Sequence, residues 1–378
     1  MKVAVDTGRL DDAARIEAAD PGGMLPQVAS SAAQIREAAR RTAESGAVEL
    51  TARDGRPRAI VVTGMGGSGI SGDVLGAVAG LGCPVPIMTV RGYRLPGWVG
   101  AADLVIAVSC SGSTEETIAV AAEAARRGCR LLFVGGDDSP LADLGARTRA
   151  AFVPVRSVGQ PRSTLWGLTI PLVLAARGLG LLDAPDALLE ATAARLEDVA
   201  HRCRPSSETF LNPAKRVAAS LAGDVPMVWG GSEIAATAAY RFCCQLNENA
   251  KYPGIAGALP EANHNQVVAF DGLFGRPPAD PDDFFRDRLD DAEHGLHLVV
   301  LSDTDEHPQT RKRREVSVEL ARDRGVTVTE LAAEGEHPLE RIATLIALAD
   351  YVTVYLAIAL GVDPTPVATI QELKTRIS

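Results

Sequence analysis

Two pairs of segments in this chain read alike, and they narrow the fold to one class. VTGMGGSGI at 62–70 parallels VWGGSEI at 228–234, so that Gly66-Gly67-Ser68 answers Gly230-Gly231-Ser232. LVIAVS at 104–109 parallels LVVLS at 298–302. Each begins as a short apolar run, breaks into small residues, and passes into a helical pattern. The pattern predicts strands at 59–63, 86–90, 104–109 and 131–134, with helices at about 69–80, 114–127 and 163–178, the last capped by Ser163. A second alternation follows: strand 226–229, helix 232–250, strand 297–302, helix 308–323, strand 326–331, helix 338–360. Strands alternating with helices pair in parallel and carry helices on both faces, because each parallel connection needs a crossover. A chain of 378 residues accommodates two such α/β units with full cores. Residues 1–55 read as mainly helical, broken at Gly22-Gly23, and helical runs at 185–202 and 206–222 read as a connector.

The spacing of the two repeats differs. Ser68 to Ser109 spans 41 residues and Ser232 to Ser302 spans 70. The excess of 29 falls at about 265–296, an acidic, Pro-rich stretch expected to form an exposed loop or lid.

The loops that follow the first-half strands carry the chemistry. In LVIAVSCSGSTEET (104–117), Ser109, Ser111, Ser113 and Thr114 crowd hydroxyls and backbone N–H groups around Gly112, where a helix begins. Hydroxyls at the positive end of a helix bind a phosphate without metal or nucleotide machinery. Ser113 and Glu116 fit a capping box. The matching second-half segment is SDTDEHPQT, in which Asp303, Asp305 and Glu306 put carboxylates where phosphate oxygens would sit. Anions about 4 Å apart repel by several kcal/mol at intermediate dielectric, so one phosphate site per chain is expected, in the first half.

Gly64-Met65-Gly66-Gly67-Ser68-Gly69 also satisfies GxGxxG, the dinucleotide fingerprint. That fingerprint needs an acid at the end of the second strand, where this chain reads Val90-Arg91-Gly92. Arg91 keeps an NADP-linked oxidoreductase open as a rival. Two phosphate-grade loops on consecutive strand ends suit a compact sugar phosphate better.

Net charge is −10, which provides no basic field for nucleic acid or anionic lipid. The six cysteines (Cys83, Cys110, Cys129, Cys203, Cys243, Cys244) show no CxxC spacing and read as reduced thiols of a cytoplasmic protein. Asp6, Asp11 and Asp12 precede any apolar run, unlike a signal peptide, and no uncharged apolar stretch of about 18 residues suggests a membrane span. There is no HxH, HExxH or His/Glu cluster at ligand spacing, so no metal and no cofactor are expected. His201, His294, His297, His307 and His337 read as solvated.

GMGGSG (64–69), SCSGSTEET (109–117), QPRSTLWG (160–167), NENAK (247–251), PEANHN (260–265) and PTPVATIQELK (364–374) together resemble the bifunctional phosphoglucose/phosphomannose isomerase family of sugar isomerase (SIS) proteins. The resemblance implies two tandem SIS domains, each a flavodoxin-like three-layer αβα sandwich. It places a first SIS domain at 56–182, a helical connector at 183–222, a second SIS domain at 223–362, and a C-terminal segment at 363–378. It implies that Gly66, Gly67, Ser68, Ser109, Ser111 and Thr114 bind the phosphate of a hexose 6-phosphate. Arg162 would stabilise negative charge on the intermediate, and Glu248 would move a proton between C1 and C2. His264 and Lys374 would assist ring opening, with His264 supplied by the partner subunit of a homodimer. Two departures stand out: Cys110 replaces a common aromatic, and the 265–296 insertion is long.

Aldose–ketose isomerisation needs a phosphate anchor, an acid/base to open the ring, a base at C2, and a cation for the enediolate. Glu248 beside the apolar run Phe242–Leu246 suits a base of raised pKa, and the flanking Asn247, Asn249 and Lys251 cost helix propensity and mark a site. His264 sits between Asn263 and Asn265 in a loop and suits proton transfer. Pro161 fixes the chain before Arg162, aiming it at the strand-end cleft. The expected activity is therefore a metal-independent isomerase of glucose 6-phosphate or mannose 6-phosphate with fructose 6-phosphate. A sugar-phosphate-binding regulator without turnover would need only the hydroxyl loop.

Overall fold

The structure, a computed structural model, describes residues 5–157, 159–275 and 295–377. The chain divides into two compact units: Pro26–Glu197 with His337–Glu340, and Met1–Leu25 with Asp198–Glu336 and Arg341–Ser378.

The first unit is built on strands β1 (Ile60–Thr63), β2 (Ile87–Val90), β3 (Leu104–Ser109), β4 (Arg130–Gly135) and β5 (Ala151–Pro154), all parallel, in the order β2-β1-β3-β4-β5. Every residue of β1 and β3 is buried. Such strands are unbroken apolar runs because helices cover both faces of the sheet. Val61 and Val105 pack with Val120, Ala124 and Leu95, while Ala107 and Phe133 pack with Ala121 and Leu141. At the amino edge, the Arg58 guanidinium holds the fully buried Asp103 by two hydrogen bonds of 2.9 and 2.6 Å, and Gly100 N–H donates a third of 2.8 Å. The Arg58 hydrogen bond, first among the causes, keeps the Asp103 carboxyl below its ordinary range.

The second unit holds β6 (Val225–Gly230), β7 (Ile255–Ala258), β8 (Leu296–Ser302) and β9 (Thr327–Ala332), again all parallel, in the order β7-β6-β8-β9. This is the first unit's order without its last strand, so the internal repeat is a repeat of topology. Trp229 on β6 is fully buried, stacks on Phe270 at 5.6 Å, and donates its indole N–H to Gln266 Oε1 at 2.6 Å. The helix Pro338–Ala359 is long and apolar enough to cross a membrane, but 94% of its apolar window is buried within the protein.

Several expectations need correction. Strands β5 and β7 and the helix Pro140–Thr148 were not predicted. Both strands lie at sheet edges and are four residues long, one ending in Pro154 and the other reading Ile-Ala-Gly-Ala, residue types that carry little strand signal. The helix expected at 206–222 begins only at Pro213, where Asn212 caps it by accepting from Ala214 and Lys215 N–H at 3.0 and 3.1 Å. The helix expected to be capped by Ser163 starts at Leu165, after a 3-10 turn over Pro161–Ser163. The helix expected over 232–250 ends at Gln245 and continues as a π-turn, Leu246–Ala250. His297 is not solvated: it is fully buried on β8, its ring nitrogens 3.1 Å from Ser220 O and 2.8 Å from Thr329 Oγ1. Residues 276–294 of the expected lid, His294 among them, lie outside the described residues.

Candidate functional site

In an open parallel sheet, ligands bind beyond the carboxyl ends of the strands where the strand order reverses. In the first unit that point lies between β1 and β3. The two loops leaving it are Gly64–Gly67 and Cys110–Thr114, the two singled out from the sequence. Gly66 has φ +52° and turns the chain into the helix Gly67–Ala79, which has no side-chain cap. Gly112 has φ +67°, and a Cβ there would overlap the Ser139 side chain. The next helix, Glu115–Arg126, has Thr114 at its N-cap and again no side-chain cap. Two helix starts on neighbouring strands therefore direct N–H groups into one crevice without a side chain satisfying them.

The hydroxyls are organised by one another. Cys110 N–H donates to Ser68 Oγ at 3.3 Å, tying the two loops together. Ser109, fully buried, lies 2.9 Å from Thr114 Oγ1 and accepts from Thr114 N–H at 3.4 Å. Ser113 Oγ donates to Ser111 Oγ at 3.0 Å. This corrects the capping box: Ser113 is spent on Ser111, and the helix has no side-chain cap. Desolvation and the charges of Glu115 and Glu116 raise the Tyr93 phenol.

Arg162 belongs to this crevice. It is only 3% exposed, not a surface helix-start arginine, and a Cβ placed on Gly67 would lie 3.5 Å from the Arg162 Cα. Its 3-10 turn is braced by two glutamines that the sequence reading missed. Gln27 Oε1 accepts from Gln160 N–H at 2.7 Å and Ser163 Oγ at 3.0 Å, and Gln34 Nε2 donates to Ser163 O at 2.7 Å. Arg91, the residue that kept NADP open, is ion-paired to Asp73.

The matching crevice of the second unit is filled from within. Ser232 caps the helix Glu233–Gln245, accepting from Ala235 N–H at 3.2 Å, and donates to Asp303 Oδ2 at 3.0 Å. The buried Glu306 carboxylate accepts from Asp303 N–H at 3.2 Å and pairs with Arg314 at 3.0 Å. Asp303 in turn pairs with Arg341 at 2.7 Å. A Cβ on Gly231 would overlap the Glu306 carboxylate. Glu306 thus occupies the place an anion would take, while Asp305 is exposed.

Glu248, His264 and Lys374 all lie in the second unit. Glu248 is half-buried on the π-turn, a distortion that recurs at functional sites. Next to it, Asn249 is fully buried and donates to Thr353 Oγ1 at 3.0 Å. The preceding helix is locked by Arg241, which donates to Asp350 at 3.1 and 2.7 Å in a buried pair. His264 is exposed and ends a 3-10 turn, Glu261–His264, that follows β7. Its neighbours hold that turn: Asn263 donates to Ser317 Oγ at 2.7 Å and Asn265 to Glu261 at 3.1 Å.

Within the unit, the topology separates Glu248 from His264. The helix of 13 residues that follows β6 runs back along the sheet to the π-turn, a travel of about 20 Å at 1.5 Å per residue. Tyr252, just beyond the turn, donates to Asp224 O at 2.7 Å, at the amino end of β6. Leu259 N–H, just before the His264 turn, donates to Gly230 O at 2.9 Å, at the carboxyl end of β6. Glu248 and His264 therefore occupy opposite ends of this sheet. Lys374 lies on the exposed helix Ala368–Ile377. Among the described residues, no group of three or more His, Cys, Asp or Glu side chains converges as a metal-ligand set.

Comparison with known proteins places this geometry in context. Residues 210–377 match the model of the bacterial phospho-glucose isomerase C-terminal SIS domain. The chain is 31% identical over 327 residues to a bifunctional phosphoglucose/phosphomannose isomerase of Caldicellulosiruptor bescii, covering 84% of this chain and 89% of the relative. It is 30% identical over 331 residues to one of Aquifex aeolicus, covering 87% and 93%. The structure of a hypothetical protein from Thermus thermophilus superposes with a TM-score of 0.69 at 18% identity, over 98% of this chain and 94% of that one, which is a likeness of fold.

Proposed function

The chain belongs to the bifunctional phosphoglucose/phosphomannose isomerase family, and on that premise we propose that it interconverts glucose 6-phosphate, mannose 6-phosphate or both with fructose 6-phosphate. The observation that carries the reading is the first-unit crevice, where two helix starts without side-chain caps and a cluster of hydroxyls converge at the β1/β3 reversal. Ser68, Ser109, Ser111 and Thr114, with the N–H groups of Gly66 and Gly67, grip the phosphate. Arg162 beside them balances negative charge as it develops on the enediolate.

Glu248 is the base. It takes the proton from C2 of the aldose as the C1 carbonyl becomes an enediolate oxygen, the proton of the C2 hydroxyl passes to that oxygen, and Glu248 returns its proton to C1 to leave the ketose. Lys374 and His264 transfer the proton that opens the hexose ring. Because Glu248 and His264 lie at opposite ends of one sheet, the His264 that serves a given Glu248 belongs to a second copy of the chain. No metal takes part in this scheme.

Two experiments test it. Fructose 6-phosphate incubated with the enzyme in deuterated water acquires deuterium at C2 of the aldose product, with EDTA present or absent. Glu248→Gln lowers kcat by about 10²–10⁴ without loss of fold. Binding of the sugar phosphate with no label exchange would instead mark a regulator, and a variant that keeps most of its turnover would remove Glu248 from the mechanism.

A further inference from the structure

We infer that Lys251 is a positioning residue, joining the turn that carries Glu248 to the root of the helix that carries Lys374; this rests on the roles given above to those two residues. Lys251 follows the π-turn in the left-handed region, at φ 54°, where glycine is the usual occupant. A non-glycine residue persists there when its surroundings over-determine it. Here the side chain supplies the reason. An ammonium has three protons to donate, and three carbonyl oxygens receive them: Asn249 O at 3.2 Å, Asp363 O at 2.7 Å and Pro364 O at 3.2 Å.

The three acceptors come from two places. Asn249 adjoins Glu248 on the π-turn and is anchored by its buried hydrogen bond to Thr353. Asp363 and Pro364 lie just before the final helix, Ala368–Ile377, in which no residue is buried. Burial along that helix therefore does little to orient it, and the bonds at its root bear on its direction. Besides Lys251, the root is held by Thr365, which donates its N–H to Asp363 Oδ1 at 2.9 Å and packs so closely on Gly22 that a Cβ there would overlap it.

The lever arm makes the tether matter. Lys374 lies about 10 Å along the helix from its first residue at 1.5 Å per residue, so a tilt of about 10° moves it by about 2 Å. Misplacement of a reacting group by 1 Å can cost about a hundredfold in rate. Lys251 thus sets the distance between base and ring-opening group by bonding both segments at once.

The test uses the full-length protein. Lys251→Met is expected to lower kcat at least fivefold with KM within twofold, and to speed amide hydrogen exchange over 368–377. Lys251→Arg, which keeps the donors, recovers at least half the rate. In a Lys374→Ala background, Lys251→Met should cause no further loss, because its effect runs through Lys374. If Lys251→Met does not accumulate folded, Lys251→Gln answers by the same measurements. A kcat within twofold of wild type, or a loss additive with Lys374→Ala, overturns the proposal. If instead the wild type has no isomerase activity, or Lys374→Ala costs nothing, the functional reading fails separately. The tether is then judged by exchange alone, and unchanged exchange over 368–377 overturns it.

Discussion

Replacing Thr114 by Val removes one hydroxyl from the first-unit crevice and leaves the shape of the side chain nearly unchanged. Its consequences for stability and for binding separate cleanly. Thr114 Oγ1 has Ser109 Oγ as its neighbour at 2.9 Å, and the side chain makes no helix-capping bond. Folding therefore loses one neutral hydrogen bond, about 0.5–1.5 kcal/mol, and Tm should fall by no more than about 6 °C. A hydroxyl donating to a phosphate dianion is a charge-assisted bond of about 1.5–3 kcal/mol, so its loss weakens binding roughly 10- to 150-fold. The phosphate is remote from the reacting carbons, so ground state and transition state lose equally. KM rises and kcat stays close to wild type. The assay is steady-state isomerisation of fructose 6-phosphate, with inorganic phosphate as competitive inhibitor. KM and the phosphate inhibition constant both within twofold of wild type, in a folded variant, would refute the crevice as the anchor.

Other expectations follow from the buried charges and thiols. Asp350→Ala strands the guanidinium of Arg241, which is 1% exposed, and should cost about 3–5 kcal/mol in a denaturant titration; a loss below about 1 kcal/mol would mean the pair does not brace the Glu248 helix. Asp103 has a folded pKa depressed below its ordinary 3.8 by Arg58, so its contribution is present above that value and lost as pH falls through the lower folded one. Asp103→Asn should therefore be less stable than wild type at pH 7, and the gap should narrow as pH falls below 3.8; a gap independent of pH would refute this coupling. Burial pushes the Cys203 and Cys243 thiols up to about 12, and Cys110 and Cys129 are also buried. A thiol reagent at pH 8 should label Cys83 and Cys244 quickly and the other four only after denaturation; rapid native labelling of Cys203 would contradict the packing described for the core.

How far the chain could be read in advance differs from place to place. Strands β1, β3, β4, β6 and β8 were legible because central parallel strands are apolar on both faces and leave unbroken runs, and the edge strands β2 and β9 because β-branched residues mark them at Ile87, Thr89, Val90 and at Thr327, Val328, Thr329. The edge strands β5 and β7 were not, since each is four residues long and Pro154 in one and the Ala-Gly-Ala run in the other are residue types depleted in strands. The hydroxyl loop and the carboxylates of its counterpart were legible from composition. The manner in which Glu306 closes the second crevice was not, because its fit against Gly231 joins residues far apart in the chain. The π-turn under Glu248 escaped for a similar reason: Asn249 is held by Thr353, 104 residues away.

The order of residues alone settles that strands alternate with helices, that the motif occurs twice, and that one copy ends in hydroxyls and the other in acids. These are local properties of side-chain size, polarity and spacing. Strand order is not local. Only the folded sheet, β2-β1-β3, brings the Gly66 loop beside the Ser109 loop, and only the path of one helix sends Glu248 and His264 to opposite ends of the second sheet. The reason is that pairing between strands is decided by which faces must be covered, a property of the assembled layers that no segment carries by itself.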